Sequence, residues 1–347
     1  MKKCLSFLLA LICLFTAASG ALAVDLKPEF ETLKAQFVAG EGPVAGDYSV
    51  DYRYFSPVGE NDSTKYPLVI WLHGMGEGGE EGAQIQKNNI AYWANDEFQS
   101  RFQPAGGAFI LAARSREEDS NTWENSILLA LRAAIDDFIA KNKDNIDLSR
   151  IYVGGFSMGG KMTFKMAIAY PEMFAAIFPI CPAWSPSADK LELIKDIPVW
   201  ITSSRKDPLV NFYLNVIPTW EKLCSVSSVV EDCRLTAVGT VCHADGTRAD
   251  SGHHSWFAVN SDMFGVDDNP YPNTYTRNGL NKTVALTSPD GMISWLSSHT
   301  SDYDGAPATD MGNLEGAKNT DNFTALELSL KDFINGIINT IVSFICA

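Results

Sequence analysis

Arg150-Ile-Tyr-Val-Gly-Gly-Phe-Ser-Met-Gly-Gly-Lys161 is the stretch whose reading decides the fold. Ile151 to Val153 is a short β-branched and aromatic run, as a buried strand requires. A helical pattern starts at Met158 and runs to about Tyr170, just before Pro171. Between them stands Gly155-Phe156-Ser157-Met158-Gly159, a G-x-S-x-G with a strand before it and a helix after it. The spacing follows from crowding. A serine on a sharp strand-to-helix turn projects its hydroxyl above the sheet, and side chains at Gly155 and Gly159 would collide with the neighbouring strand and helix. The Met158 amide, at the helix N-terminus, is then placed to stabilise an oxyanion.

Working outward, Pro67-Leu-Val-Ile-Trp-Leu72 is a continuous apolar run, as expected of a fully buried parallel strand. It ends in His73-Gly74-Met75-Gly76-Glu77-Gly78-Gly79, where the Met75 amide is the candidate second oxyanion donor and the Gly76 amide the next choice. His73, at the strand end, reads as structural. Gly107–Ala113, Phe174–Cys181 and Ile197–Thr202 repeat the buried-strand pattern, and Cys233–Val238 adds another strand. Ile127, Leu128, Leu131, Ile135, Phe138 and Ile139 recur at helical spacing, so a helix covers the sheet. Alternating strands and helices imply an α/β fold with a mostly parallel central sheet and helices on both faces. Tyr48–Phe55 alternates as an edge strand does, residues 29–37 read as a short helix before a Gly-rich link, and residues 80–105 as a polar loop and helix.

Two partners for Ser157 lie downstream in the order acid, then base. Asp207 follows the Ile197–Thr202 strand and would fix the tautomer of a histidine and stabilise its imidazolium. Gly252-His253-His254-Ser255-Trp256 lies after the last predicted strand and before the final helix, residues 289–296. His253 is the first choice of base, His254 the second and His243 a weaker third. His299 falls past the last core helix. Residues 262–287, rich in Asn, Pro, Gly and Tyr, read as an insertion that shapes a cleft with Tyr271 and Tyr275, or as a plain surface loop.

Composition sets outer limits. The 347 residues carry a net charge of -15, which disfavours nucleic acid and anionic membranes as partners. Lys2 and Lys3, the apolar run Leu5–Phe15 and Ala21-Leu22-Ala23 match a secretory signal with a mature start near Val24. No small-residue-then-Cys lipobox follows, so no lipid anchor is expected. Export permits disulfides, and one bridge among Cys224, Cys233 and Cys242 is expected, with Cys181 a buried core residue. Cysteine spacing gives no zinc motif, and no metal or cofactor is implied. The domain is expected to span residues 24–299, followed by a polar linker, 300–322. A helical stripe from Leu326 to Ile345 then marks a C-terminal amphipathic helix, 323–347, that docks or self-associates, with membrane-surface contact as the alternative.

These motifs, with Tyr170-Pro-Glu-Met-Phe-Ala-Ala176 and Asp207-Pro-Leu-Val210, resemble the serine-esterase branch of the α/β-hydrolase superfamily. The similarity is to secreted predicted peptidases of prolyl-oligopeptidase-like type, feruloyl and acetylxylan esterases, and polyhydroxybutyrate-depolymerase-like proteins. It spans residues 66–297. In such relatives the His of a Gly-His-x-[Ser/Ala]-Trp motif is the base, which the resemblance places at His253. Relatives usually carry His-Gly where this chain has Ser203-Ser204. The resemblance implies acyl transfer by Ser157, Asp207 and His253 without a cofactor, on small esters or acylated carbohydrate. A prolyl-oligopeptidase-like peptidase is the alternative, though such enzymes usually carry a propeller for which this chain has no room. A non-catalytic hydrolase-fold binding protein is a third reading, against which an ordered Ser, Asp and His argues.

Overall fold

In the computed structural model the described residues are 28–305, apart from 61, 80, 116–122, 124, 243–247, 261–272, 279, 281 and 287–290. The expected signal segment, the C-terminal helix, the linker beyond residue 305, His243 and Tyr271 lie outside them.

A ten-stranded sheet organises the chain. The strands are β1 (Val38–Glu41), β2 (Asp51–Phe55), β3 (Tyr66–Leu72), β4 (Phe109–Arg114), β5 (Ile146–Phe156), β6 (Ala176–Ile180), β7 (Val199–Ser204), β8 (Cys233–Val238), β9 (Thr274–Arg277) and β10 (Thr283–Leu286). Their spatial order is β1-β2-β4-β3-β5-β6-β7-β8-β9-β10. From β4 to β8 every neighbouring pair is parallel, and antiparallel β2 and β1 extend one edge as β9 and β10 extend the other. The parallel strands are buried on both faces: β3, β6 and β7 contain no residue that is not buried. That is why they read as unbroken apolar runs rather than as alternating ones.

Helices Leu128–Lys141 and Met158–Ala169 cover the sheet, and Trp71, Trp93, Trp123, Trp200 and Trp295 are among the largest buried side chains. Chain order reverses between β3 and β5. The loop after β3 and the loop after β5 therefore open a crevice at the carboxyl ends of the strands, where open α/β sheets place their sites.

Several expectations need correcting. Val38–Glu41 is a strand, not the start of a Gly-rich link; it pairs with β2 over Val38↔Tyr54 to Glu41↔Asp51. Within 80–105 three short helical turns, at Ala83–Gln86, Ile90–Ala94 and Asp96–Ser100, replace one helix. Thr274–Arg277 and Thr283–Leu286 are not loop but the paired strands β9 and β10, with β9 joined to β8 through Leu235↔Tyr275 and Thr236↔Thr274. Cys224, Cys233 and Cys242 are free thiols. Cys233 donates instead to the Ser227 hydroxyl at 3.2 Å, and Cys242 to the Thr240 carbonyl at 3.9 Å. Ordered packing also runs past residue 299: the Ser301 amide donates to the Ser149 carbonyl and Tyr303 is buried.

Candidate active site

Ser157 occupies the turn between β5 and the helix Met158–Ala169 with φ 57 and ψ -109, a backbone region costly for any residue but glycine. Neighbouring backbone holds the strain in place. The Ser157 amide donates to the Ile180 carbonyl at the end of β6, and the Ala183 and Lys161 amides donate to the Ser157 carbonyl. A Cβ at Gly159 would come 1.9 Å from the Leu72 carbonyl oxygen, and one at Gly155 2.5 Å from the same atom. The turn therefore closes only on glycine, and it presses against the end of β3.

Asp207 sits on the loop after β7. Its Oδ1 accepts the Leu209 and Val210 amides at 2.8 and 2.9 Å, which orients the carboxylate before any histidine is considered. His253 lies on the loop that precedes the short helix Trp256–Asn260, and its amide donates to the Ser251 hydroxyl. The two loops touch: a Cβ on Gly252 would lie 2.3 Å from the Lys206 carbonyl oxygen.

The structure brings Ser157, His253 and Asp207 into one hydrogen-bonded line. His253 Nε2 is 3.1 Å from Ser157 Oγ, and His253 Nδ1 is 2.8 Å from Asp207 Oδ2 and 3.0 Å from Oδ1. All three are buried. Burial disfavours the imidazolium, but the Asp207 carboxylate outweighs that and holds His253 well above the usual histidine range. Carboxylate contact also fixes Nδ1 as the protonated nitrogen, leaving Nε2 to accept the Ser157 hydroxyl proton.

The other candidates lie elsewhere. His254 turns toward Trp256 and Phe257, with ring centroids 6.1 and 6.4 Å away, and makes no contact with Ser157. His299 meets the Trp295 ring edge-on, and its Nε2 is 3.8 Å from Asp232. His73 is fully buried; its Nδ1 donates to the Gly74 carbonyl at 2.7 Å and its Nε2 accepts the Ser115 amide at 3.0 Å. Burial pushes its pKa down to about 4, so it is a neutral strut between the loops after β3 and β4. Tyr275 lies on β9, where the Arg205 guanidinium donates to its hydroxyl. Met158 is the first residue of the helix after Ser157, and Met75 lies on the loop after β3 with its side chain 63% exposed. Neither backbone amide has an acceptor among the described residues.

Two neighbours of His253 carried no signal as site residues in the sequence. Cys181, read as a core residue, directly follows β6 with φ 32; its Sγ is 3.7 Å from His253 Nδ1 and 3.5 Å from the His253 carbonyl oxygen. Burial pushes this thiol up, so it stays protonated and donates. The Phe156 ring packs against the imidazole with centroids 4.8 Å apart. Cys181, Asp207 and His253 present three potential metal-ligand atoms within 4.8 Å of one another, but these atoms are already turned on each other in hydrogen bonds.

Comparison with known proteins places the chain in a family. The phospholipase/carboxylesterase family profile matches residues 56–245, more than half of the chain. Feruloyl esterase B of Neurospora crassa is 30% identical over 142 residues, covering 38% of this chain and 44% of that protein. Acyl-protein thioesterase 1 of Cryptococcus neoformans is 25% identical over 202 residues, 53% of this chain and 82% of that protein. The crystal structure of a thermostable esterase superposes with a TM-score of 0.57 at 27% identity, covering 77% of this chain and 64% of the other. The chain thus spans less than half the length of the feruloyl esterase that it matches. With an elbow serine at a reversal of strand order and a profile match through most of the parallel sheet, the chain belongs to the phospholipase/carboxylesterase family and has the α/β-hydrolase fold.

Proposed function

We propose that this protein is a serine carboxylesterase that cleaves small esters or acylated carbohydrate through an acyl-enzyme. One observation carries the reading: the line Ser157–His253–Asp207, with contacts of 3.1 and 2.8 Å, buried at the carboxyl ends of the strands. In this mechanism Ser157 Oγ attacks the ester carbonyl while its proton passes to His253 Nε2. The Met158 and Met75 amides receive the oxyanion. The tetrahedral intermediate collapses, the carbon–oxygen bond to the alcohol breaks, and His253 returns the proton to the departing oxygen. Water then repeats the sequence on the acyl-enzyme, restoring Ser157 and releasing the acid. Every proton transfer uses one imidazole, and Asp207 stabilises its charged form. The substrate class is supported by the name of the feruloyl esterase relative. A secreted site of action is supported by Lys2, Lys3, the apolar run and Ala21-Leu22-Ala23.

The test is hydrolysis of a chromogenic ester series from acetyl to octanoyl, with methyl ferulate and a Pro-linked peptide amide alongside. Ester turnover that disappears in Ser157→Ala is the expected result. Amide turnover without ester preference overturns the substrate class, and absence of both overturns the enzyme reading.

A further inference from the structure

A carboxylate that the serine, acid and base do not use holds the loop after β3. Glu77 folds back over its own loop, where Oε2 accepts the Gly74 amide at 2.8 Å and Oε1 accepts the Asn88 side-chain amide at 3.1 Å. Asn88 is fully buried, and its backbone carbonyl accepts in turn from the side-chain amide of Asn260. Asn260 is the last residue of the helix Trp256–Asn260, which begins three residues after His253. A continuous hydrogen-bonded chain therefore links the helix behind the base to the loop after β3. On the other side of that loop, Lys87 Nζ donates to the Gly76 carbonyl at 3.3 Å. Met75 lies between these two attachments, at Gly74 and Gly76, and its own amide has no acceptor among the described residues.

Bond direction explains why a carboxylate suits this position. Both partners of Glu77 are N–H donors, so the group must accept on both oxygens, as a carboxylate does. Aspartate is one methylene shorter, and at this backbone position it cannot span Gly74 and Asn88 together. Burial raises the Glu77 pKa, while the Gly74 and Asn88 amides, Lys87 and His253 all pull it back.

We propose that Glu77 is the positioning residue of the oxyanion loop. It takes up the Gly74 amide, holds the turn from which the Met75 amide meets an oxyanion, and couples that donor through Asn88 and Asn260 to the helix that follows the base. This rests on the ester-hydrolase reading of Ser157. Glu77 touches neither substrate nor Ser157 and acts through Met75.

The test compares Glu77→Ala, Glu77→Gln and wild type in three readouts: kcat and KM for a short-chain ester, affinity for a trifluoromethyl ketone that forms an oxyanion adduct with Ser157, and the unfolding midpoint. In Glu77→Ala, kcat and ketone affinity should fall together by roughly 10- to 100-fold while KM stays within about twofold, because the lost donor acts on the oxyanion and not on the bound ester. Glu77→Gln should recover most of both. Its oxygen still accepts the Gly74 amide, and its NH2 can donate to the Asn88 Oδ1, which has no hydrogen-bond partner among the described residues, once that amide turns over. If Glu77→Ala does not fold, Asn88→Asp carries the test. It sets two carboxylates against each other and should lose kcat, and adding Glu77→Gln should restore it. Wild-type kcat and ketone affinity in Glu77→Ala, or a kcat loss with unchanged ketone affinity, overturns the assignment of Glu77 and leaves the esterase reading standing. A wild-type protein that neither turns over esters nor binds the ketone overturns both.

Discussion

At the level of single residues, the site is a matter of which proton sits where. His253 is raised above the usual histidine range because Asp207 is 2.8 Å from its Nδ1 in a buried setting. Imidazolium cannot take the Ser157 proton, so ester hydrolysis should be present above that pKa and lost as pH falls through it. The acid limb of kcat/KM, measured from pH 5 to pH 10, should therefore lie above the value of an unperturbed histidine. In Asp207→Asn the charge that raises His253 is gone while burial remains, so the limb should move to lower pH. The same variant should lose roughly 10³- to 10⁴-fold in kcat, because the amide no longer holds the correct tautomer. A limb that stays in place in Asp207→Asn would remove Asp207 as the source of the shift. Chain order made Ser157, Asp207 and His253 readable, since each follows a buried run or a Gly-marked turn. Cys181 was not readable as a neighbour of the base. Its contact with His253 depends on the end of β6 and the loop after β8 meeting in space, and neither segment carries a local mark of that meeting.

Whole strands and loops were legible in proportion to their burial. β3, β6 and β7 are buried throughout and stand out as apolar runs. β10 has only exposed and half-buried residues, and β1 is more open still, so neither has an apolar stripe to detect. β9 alternates buried and half-buried residues over only four positions, with polar side chains facing in: Thr274 bonds the Thr236 hydroxyl and Thr276 the Glu231 carbonyl. A hairpin held by threonines reads as loop because its inward face is not hydrophobic. The loops after β3 and β4 are tied by a group that a sequence can flag only as histidine: His73, neutral and fully buried. Its folded pKa of about 4 lies below the ordinary 6.5, so below pH 6.5 the unfolded chain binds a proton that the folded chain refuses. The stability that His73 contributes is complete above pH 6.5 and lost as pH falls toward 4, up to about 3 kcal/mol in all and about 2 kcal/mol by pH 5. His253, whose pKa is shifted the opposite way, gains stability on acidification, so the comparison must isolate His73. The gap in unfolding free energy between wild type and His73→Asn, from urea titrations, should narrow by about 2 kcal/mol between pH 7 and pH 5. A pH-independent gap would mean that His73 titrates normally.

Across the molecule as a whole, the question is where the folded body stops. A polar, Asp- and Gly-containing stretch after His299 looks like linker, yet the described chain stays on the domain through residue 305. The anchor is Tyr303. Its hydroxyl accepts from Arg132 at 3.2 Å, and its ring lies 5.9 Å from that guanidinium. Arg132 is itself buried on the helix Leu128–Lys141, paired with Asp136 at 2.8 Å and placed 4.6 Å over the Tyr170 ring. A buried guanidinium is tolerable only while its partners remain. Ending the chain after His299 removes a buried aromatic ring and uncovers Arg132, which should cost about 3 kcal/mol or more in unfolding free energy. Ending it after Gly305 removes none of these contacts, so the chain that ends there is the reference against which that loss is read. Tyr303→Phe separates the two contributions: it keeps the ring over Arg132 and loses only one hydrogen bond to a charged group, about 1.5 to 3 kcal/mol. Equal stability of the two truncated chains in urea titration would show that the domain closes at residue 299 after all and that Tyr303 merely rests on its surface.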